Sequence, residues 1–333
     1  MGSILVLEAS GVDEPPSGFW EQVSAGRELA TGTGRPLDIV VLGGTAATAR
    51  AAARAEGAER VFLVDDPRLT SWPEGATAAV SAILEEIDPD AIILPRSMLG
   101  AEVAARLACR LGVGLAVDVT RIDEGATGLV VERPVSGGAA GARLVLSRRP
   151  WILTPRTGAF PPASPATATA EVVTRSVPLE DLATTVVARE ILDGAGRDLE
   201  AARIIVAGGR GMGGPEPFEL LATLADRLGG ALAASRPPCD AGWVEPTLQV
   251  GLTGAMVSPD LYLAVGISGA TQHMTGCASS RTIVAVNSDP NAPIFRMATY
   301  GVVGEWQDVL PGLLEGLTGT VPAIPQTSAG SAS

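Results

Sequence analysis

Apolar residues come in short runs, each followed by a glycine-rich or polar turn and then by a stretch with helical spacing. Ile4–Leu7, Asp38–Leu42, Val61–Val64 and Ala91–Leu94 are such runs. Unbroken apolarity over so few residues predicts strands buried on both faces. Ala46–Glu56 and Ala76–Ile87 read as intervening helices, and the alternation predicts a parallel sheet with crossover helices. After Val117 the rhythm changes. Gly128–Val135, Ala142–Ser147 and Trp151–Arg156 follow one another with only Gly or Pro between them, which predicts antiparallel strands added to the parallel sheet. Pro161, Pro162 and Pro165 mark a connection into a strand at Ala170–Arg175.

Asp193–Asp198 is short, polar and glycine-containing, as expected of a domain boundary. Beyond it the strand–helix rhythm resumes. Ile204–Ala207 is a strand, followed by the turn Gly209–Gly214 and a helix from Pro215 through Leu228. Ala231–Ala234, Leu261–Val265 and Arg281–Val286 are further strands, with a helix starting near Gln272. From Thr318 the chain is rich in Pro, Ser, Gly and Ala and reads as disordered. The division is therefore 1–195 for a first α/β domain, 196–318 for a second and 319–333 for a tail.

Composition narrows the chemistry. The net charge is −13, which argues against a nucleic-acid partner. All 24 basic residues are Arg, so a Lys Schiff base and a Walker lysine are excluded. His273 is the only histidine, which excludes a multi-histidine metal site. Cys109, Cys239 and Cys277 are widely spaced, fitting unpaired thiols in a reducing, cytoplasmic setting. No apolar run reaches the length of a membrane helix, so no membrane insertion is expected.

In an open parallel sheet, ligands bind beyond the carboxyl ends of the strands. Gly266, Ile267, Ser268, Gly269 and Ala270 follow one strand there, with Gln272 and His273 just after them, and Asn287, Ser288 and Asp289 follow the next. Glycines let the main chain approach a ligand closely. Gly209–Gly214 is formally GxGxxG, a weak signal by itself. The Asp or Glu that would bind an NAD ribose is replaced by Ser235-Arg236. An Arg there suits a 2′-phosphate, so an NADP-binding oxidoreductase or transhydrogenase domain stays open.

The segments AVGISGATQH, TIVAVNSDPNAPIF and TYGVVGEWQDVLPGL resemble the carboxyl-terminal domain of the electron-transfer flavoprotein alpha subunit, as do the upstream IIVAGGRGMGGPEPFELLATLADRLGGALAASRPPCDAGW and QVGLTG, in the same order. Together they span roughly Arg203 to Leu317. AARLACRLGVGLAVDV and RPWILTPRTGAF resemble the family's amino-terminal domain more loosely. The resemblance implies a Rossmann-like, nucleotide α-hydrolase-like parallel sheet with added antiparallel strands, then a doubly wound FAD-binding domain. It implies an electron carrier without a substrate of its own, paired with a beta subunit. The donor would be a flavin dehydrogenase, such as an acyl-CoA dehydrogenase, and the recipient a quinone oxidoreductase or other acceptor.

Residue by residue, the resemblance places Ser235 and Arg236 against FAD, with Arg236 near the isoalloxazine ring. Thr253 matches a threonine bonded near flavin N5. Ser268 and Gln272 match residues along the ribityl–pyrophosphate part, Asn287 an adenosine-side contact, and Arg210 an arginine facing the flavin cleft. His273 is expected to donate to flavin O2 and to take up a proton as charge develops. Leu252 stands where the family commonly has Gln, Ala255 where it has Lys, and Glu305 where it has Asp at the adenine end. A purely structural subunit with a degenerate site is the third reading, against which the retained polar residues argue.

Overall fold

The computed structural model describes residues 2–135, 140–167, 169–179, 182–188, 199 and 202–317. The chain divides into two compact units, Met1–Leu192 and Asp193–Ser333. The expected boundary segment Asp193–Asp198 and the expected disordered tail 319–333 lie outside the described residues.

The first unit runs β1 (Ile4–Glu8), α1 (Ser17–Thr33), β2 (Leu37–Leu42), α2 (Ala46–Ala52), β3 (Ala58–Val64), α3 (Pro73–Ile87), β4 (Ala91–Ile93), α4 (Met98–Leu111), β5 (Leu115–Val119), β6 (Arg121–Gly125), β7 (Gly128–Val135), β8 (Ala140–Leu146), β9 (Trp151–Pro155) and β10 (Glu171–Thr174). Seven strands form one sheet in the order β10-β3-β2-β1-β4-β9-β5, parallel throughout. Alternate residues of β1 enter different cores. Ile4 and Val6 pack with Phe19 and Val23 of α1 and Ala49 of α2, while Leu5 and Leu7 pack with Val80 and Ile83 of α3 and Leu107 of α4. Burial on both faces is why these strands are continuously apolar.

Three expectations change. Trp151–Pro155 is not antiparallel. It lies inside the parallel sheet between β4 and β5, and all five of its residues are buried. The antiparallel strands are β6, β7 and β8, a separate three-stranded meander whose Ile122, Leu129, Val131 and Leu146 join the core on the α1 side. The helix expected over Ala46–Glu56 stops at Ala52. There the chain is claimed by tertiary hydrogen bonds: the carbonyls of Ala53 and Arg54 accept from the N–H groups of Ala170 and Ala166, and Ala55 forms a bridge with Pro165. Ala163 likewise donates to the Trp20 carbonyl, so this segment straps α1 and α2 before entering β10.

The second unit contains β11 (Ile204–Gly208), α5 (Pro217–Leu228), β12 (Ala231–Ala234), α6 (Arg236–Asp240), β13 (Leu261–Val265), α7 (Thr271–Cys277), β14 (Thr282–Asn287), β15 (Tyr300–Val303) and α8 (Trp306–Gly316). The five strands are parallel in the order β12-β11-β13-β14-β15. Successive connections from β11 leave in opposite directions along the sheet, so a crevice opens between the ends of β11 and β13, the place where such sheets bind ligands. The helix expected from Pro215 begins at Pro217. A 3-10 turn, Arg210–Met212, intervenes, and left-handed Gly213 ends it. The crevice is thus faced by this turn and not by the first turn of α5.

Candidate functional site

A cleft of about 660 Å³ runs along the carboxyl edge of the second sheet, and every strand of that sheet contributes to it. Arg210 and Gly211 come from the end of β11, and Ser235, Arg236 and Pro237 from the end of β12. Ile267 and Ser268 follow β13, Asn287 and Ser288 close β14, and Gly304 with Glu305 and Trp306 follow β15. The outer wall by β12 is the segment Gln249–Thr253, held by the Val250 N–H donating to the Ala234 carbonyl at 2.9 Å.

The floor depends on glycine. The Gly211 N–H donates to the Gly266 carbonyl at 3.0 Å, and the Gly209 N–H to the Val265 carbonyl at 2.8 Å. A Cβ on Gly209 would stand 2.1 Å from that same Gly266 oxygen. Gly266 itself has φ of 62°, the left-handed region. The two loops touch backbone to backbone at the crevice.

Of the residues expected from sequence, all but Gly269 and Asp289 line the cleft. Gly269 has a different task. A Cβ there would meet the Ile294 backbone at 2.4 Å, so it seats the loop on the turn after β14. Asp289 is exposed and accepts from the Asn291 N–H, closing a turn. Asn287 lines the cleft, but its amide is committed. Its Nδ2 donates to the Ile267 carbonyl at 2.9 Å and its Oδ1 accepts from the Asp289 N–H, which ties the β14 end to the β13 loop.

The expectation for His273 changes most. The ring is buried, at 7% exposure, and both nitrogens are taken. Nδ1 lies 3.0 Å from the Val250 carbonyl and Nε2 lies 3.1 Å from the Tyr262 hydroxyl. Burial pushes its pKa down to about 4, outweighing the Val250 hydrogen bond. Neither ring nitrogen is offered to the cleft, and the group resists protonation. Arg236 also differs in setting. Its side chain is 64% exposed and paired at 3.1 Å with Asp240.

Thr253 is exposed and its Oγ1 accepts from Gln249 Nε2 at 3.0 Å, which leaves the hydroxyl proton free to turn to the cleft. Gln249 was not among the expected site residues, although it stands in QVGLTG four residues before Thr253. Trp306 was also missed, because aromatic residues beginning a helix usually read as core. Leu252 is 59% exposed on the wall. The cleft thus offers exposed hydroxyl and amide groups at Thr253, Ser268 and Gln272, cations at Arg210 and Arg236, and apolar surface at Leu252 and Trp306. That set suits an elongated ligand with phosphates at one part and a ring system at another.

Residues 5–180 match the family profile described as electron transfer flavoprotein domain, and residues 198–278 match the one described as electron transfer flavoprotein FAD-binding domain. The chain is 38% identical to the electron transfer flavoprotein subunit alpha of Thermoanaerobacterium thermosaccharolyticum, covering 89% of this chain and 91% of that one. It is 36% identical to the protein of the same name from Bacillus subtilis, with the same coverage of 89% and 91%, and 38% identical to that of Mycobacterium tuberculosis, covering 94% and 97%.

Proposed function

Because the chain belongs to the electron transfer flavoprotein alpha-subunit family, whose second domain binds FAD, we propose that the cleft at the carboxyl edge of the second sheet is where this chain holds it. The observation that carries the reading is the glycine floor, where Gly209, Gly211 and Gly266 let the two strand-end loops meet backbone to backbone and where Gly211 and Gly266 line the cleft without a side chain. In this reading Ser268 and Gln272 hold the phosphate and ribityl part, Thr253, oriented by Gln249, faces the ring, and Arg210 and Arg236 supply permanent positive charge. FAD, when bound, supplies reversible electron uptake, and the protein's work is to hold it and set its electrostatics. The NADP alternative is disfavoured by the pairing of Arg236 with Asp240, since a carboxylate would stand beside the 2′-phosphate.

The partners that fit are a beta subunit, a flavin dehydrogenase as donor and a quinone oxidoreductase or other acceptor, with the first unit as docking surface. Copurified with its beta partner, the chain should show a flavin absorbance spectrum at one FAD per cleft. A folded, colourless heterodimer that takes up no FAD would sink the proposal.

Two variants probe individual contacts. Leu252→Gln restores a donor and an acceptor on the cleft wall and is expected to strengthen FAD retention by about tenfold or less, the worth of one hydrogen bond. The FAD-to-protein ratio after dialysis measures it, and weaker retention would mean that the wall is built around leucine. Arg236→Ala removes a charge that is exposed and already paired, so the flavin potential should drop by less than about 60 mV. Spectroelectrochemistry reads the shift. A larger drop would show Arg236 leaving Asp240 for the cofactor.

A further inference from the structure

Gly276 is buried on α7, apart from the residues that line the cleft. The three nearest neighbours of a Cβ there would be main-chain atoms of Gly251: the nitrogen at 2.4 Å, the Cα at 2.5 Å and the carbonyl carbon at 3.1 Å. At this point α7 and the cleft wall touch as bare backbone. Two hydrogen bonds flank the contact. The Leu252 N–H donates to the Gln272 carbonyl at 2.7 Å, and the Val257 N–H donates to the Gly276 carbonyl at 2.7 Å. One lies before Thr253 and the other after it, so both ends of the turn that presents Thr253 hang on the same helix. We infer that Gly276 is a positioning residue: its missing side chain sets how closely the wall is drawn onto α7 and, through Gly251, where Thr253 stands in the cleft.

The turn is closed on itself, which is why a push at Gly251 reaches Thr253. The Gly251 N–H donates to the Ala255 carbonyl at 3.1 Å, the Ala255 N–H to the Gln249 carbonyl at 2.7 Å and the Gly254 N–H to the Gly251 carbonyl at 3.1 Å. A Cβ on Gly254 would stand 2.3 Å from the Gln249 oxygen, so the two arms of the turn also lie backbone to backbone. Gln249 Nε2 ties the Thr253 hydroxyl to the same unit. Val250 and Gly251 are buried, whereas Leu252 and Thr253 are exposed, so displacement of the turn runs outward. An ordinary carbon contact needs about 3.5 Å, so a methyl at position 276 drives the wall back by about 1 Å, enough to break a hydrogen bond. The helix itself does not oppose the change, since alanine is favoured over glycine within a helix.

The consequence for the ligand rests on the FAD reading, and a double-mutant cycle tests it. FAD affinity is measured by titrating the FAD-stripped heterodimer and following flavin fluorescence. Gly276→Ala should weaken binding by about tenfold or less, the worth of one hydrogen bond. In a Thr253→Ala background, which lacks the hydroxyl, the same substitution should change affinity by less than about twofold. Equal losses in the two backgrounds would mark Gly276 as merely structural and overturn the inference, as would full affinity in a folded Gly276→Ala protein. A parent heterodimer that takes up no FAD sinks the FAD reading instead, before any variant is compared. The clamp is read separately, by hydrogen exchange in the parent heterodimer. The Leu252 and Val257 amides should be as protected as the Met274 amide of α7, which donates to the Ala270 carbonyl at 3.0 Å. That measurement decides the matter if Gly276→Ala does not fold: matched protection upholds the clamp, and exchange at the rate of a free turn overturns it.

Discussion

Gly209→Ala is expected to destabilise the protein by about 3 kcal/mol or more and to abolish FAD retention. The backbone at Gly209 has φ of −107°, a conformation open to any residue, so the whole effect is steric. The new methyl would stand 2.1 Å from the Gly266 oxygen and 2.7 Å from the Ile267 Cα. Both obstacles are main chain and cannot swing aside as a flexible side chain would. The Gly266 carbonyl is also held by the Gly211 N–H, so relief at one contact breaks the next. Thermal unfolding and the FAD-to-protein ratio of the heterodimer measure the effect. Gly32→Ala is the control. It lies in α1 with nothing within 4 Å of its would-be Cβ, and alanine there should be neutral or stabilising by up to about 1 kcal/mol. A Gly209→Ala protein with parental stability and full FAD would show that the two loops do not touch.

Lowering the pH from about 6.5 to about 4 is expected to remove roughly 3 kcal/mol of stability through His273 alone. The unfolded imidazole takes up its proton near 6.5, whereas the folded one does so only near 4. Within that window the unfolded state binds more protons. Stability from this group is therefore complete above about pH 6.5 and is lost as pH falls through the folded value. Two buried carboxyls work in the opposite sense. Burial raises Glu8 and Glu21, so their contribution grows on acidification. The measurement that isolates His273 is urea unfolding at several pH values for the parent and for His273→Gln. Parallel pH slopes in the two proteins would refute a neutral buried imidazole.

The strands were the most legible part of the chain. LYLAV and ALAA are largely buried, apolar and followed at once by glycine or serine, and their limits in the structure are those expected from the pattern. The continuous apolarity that reveals a two-faced strand says nothing of its neighbours, however, so Trp151–Pro155 was given the wrong direction. Its place between β4 and β5 is settled by tertiary packing, with Ile152 in the cluster that holds Leu107 of α4 and Trp151 and Leu153 in the one that holds Leu129 and Val131 of the meander, which no local pattern encodes. The cleft residues were legible because a parallel sheet delivers its strand ends to one edge and because the loops resemble a known family. What could not be read is which side chains are already engaged. Nothing in SGATQH announces that Tyr262, eleven positions before His273, reaches back to hold it, nor that Asn287 spends its amide on the Ile267 carbonyl. Such partners are fixed by three-dimensional proximity between β13, β14 and the wall segment.

The strap over α1 and α2 bears on the order in which the first unit can be completed during synthesis. The chain lays down β1 to β9 and only then returns across the helices to place Glu171–Thr174 against Arg60–Leu63 of β3. Until Arg175 has left the ribosome, β3 is an open edge, presenting unpaired backbone groups flanked by Phe62 and Val64 to any other extended segment. Contacts of such long sequence separation are slow to close, which makes the nascent unit a client for edge-to-edge association before it is a finished domain. The antiparallel meander folds from neighbouring residues and carries no such delay. A chain cut short within the strap would keep most of its core and still expose the strand that natural sheets take most care to cover.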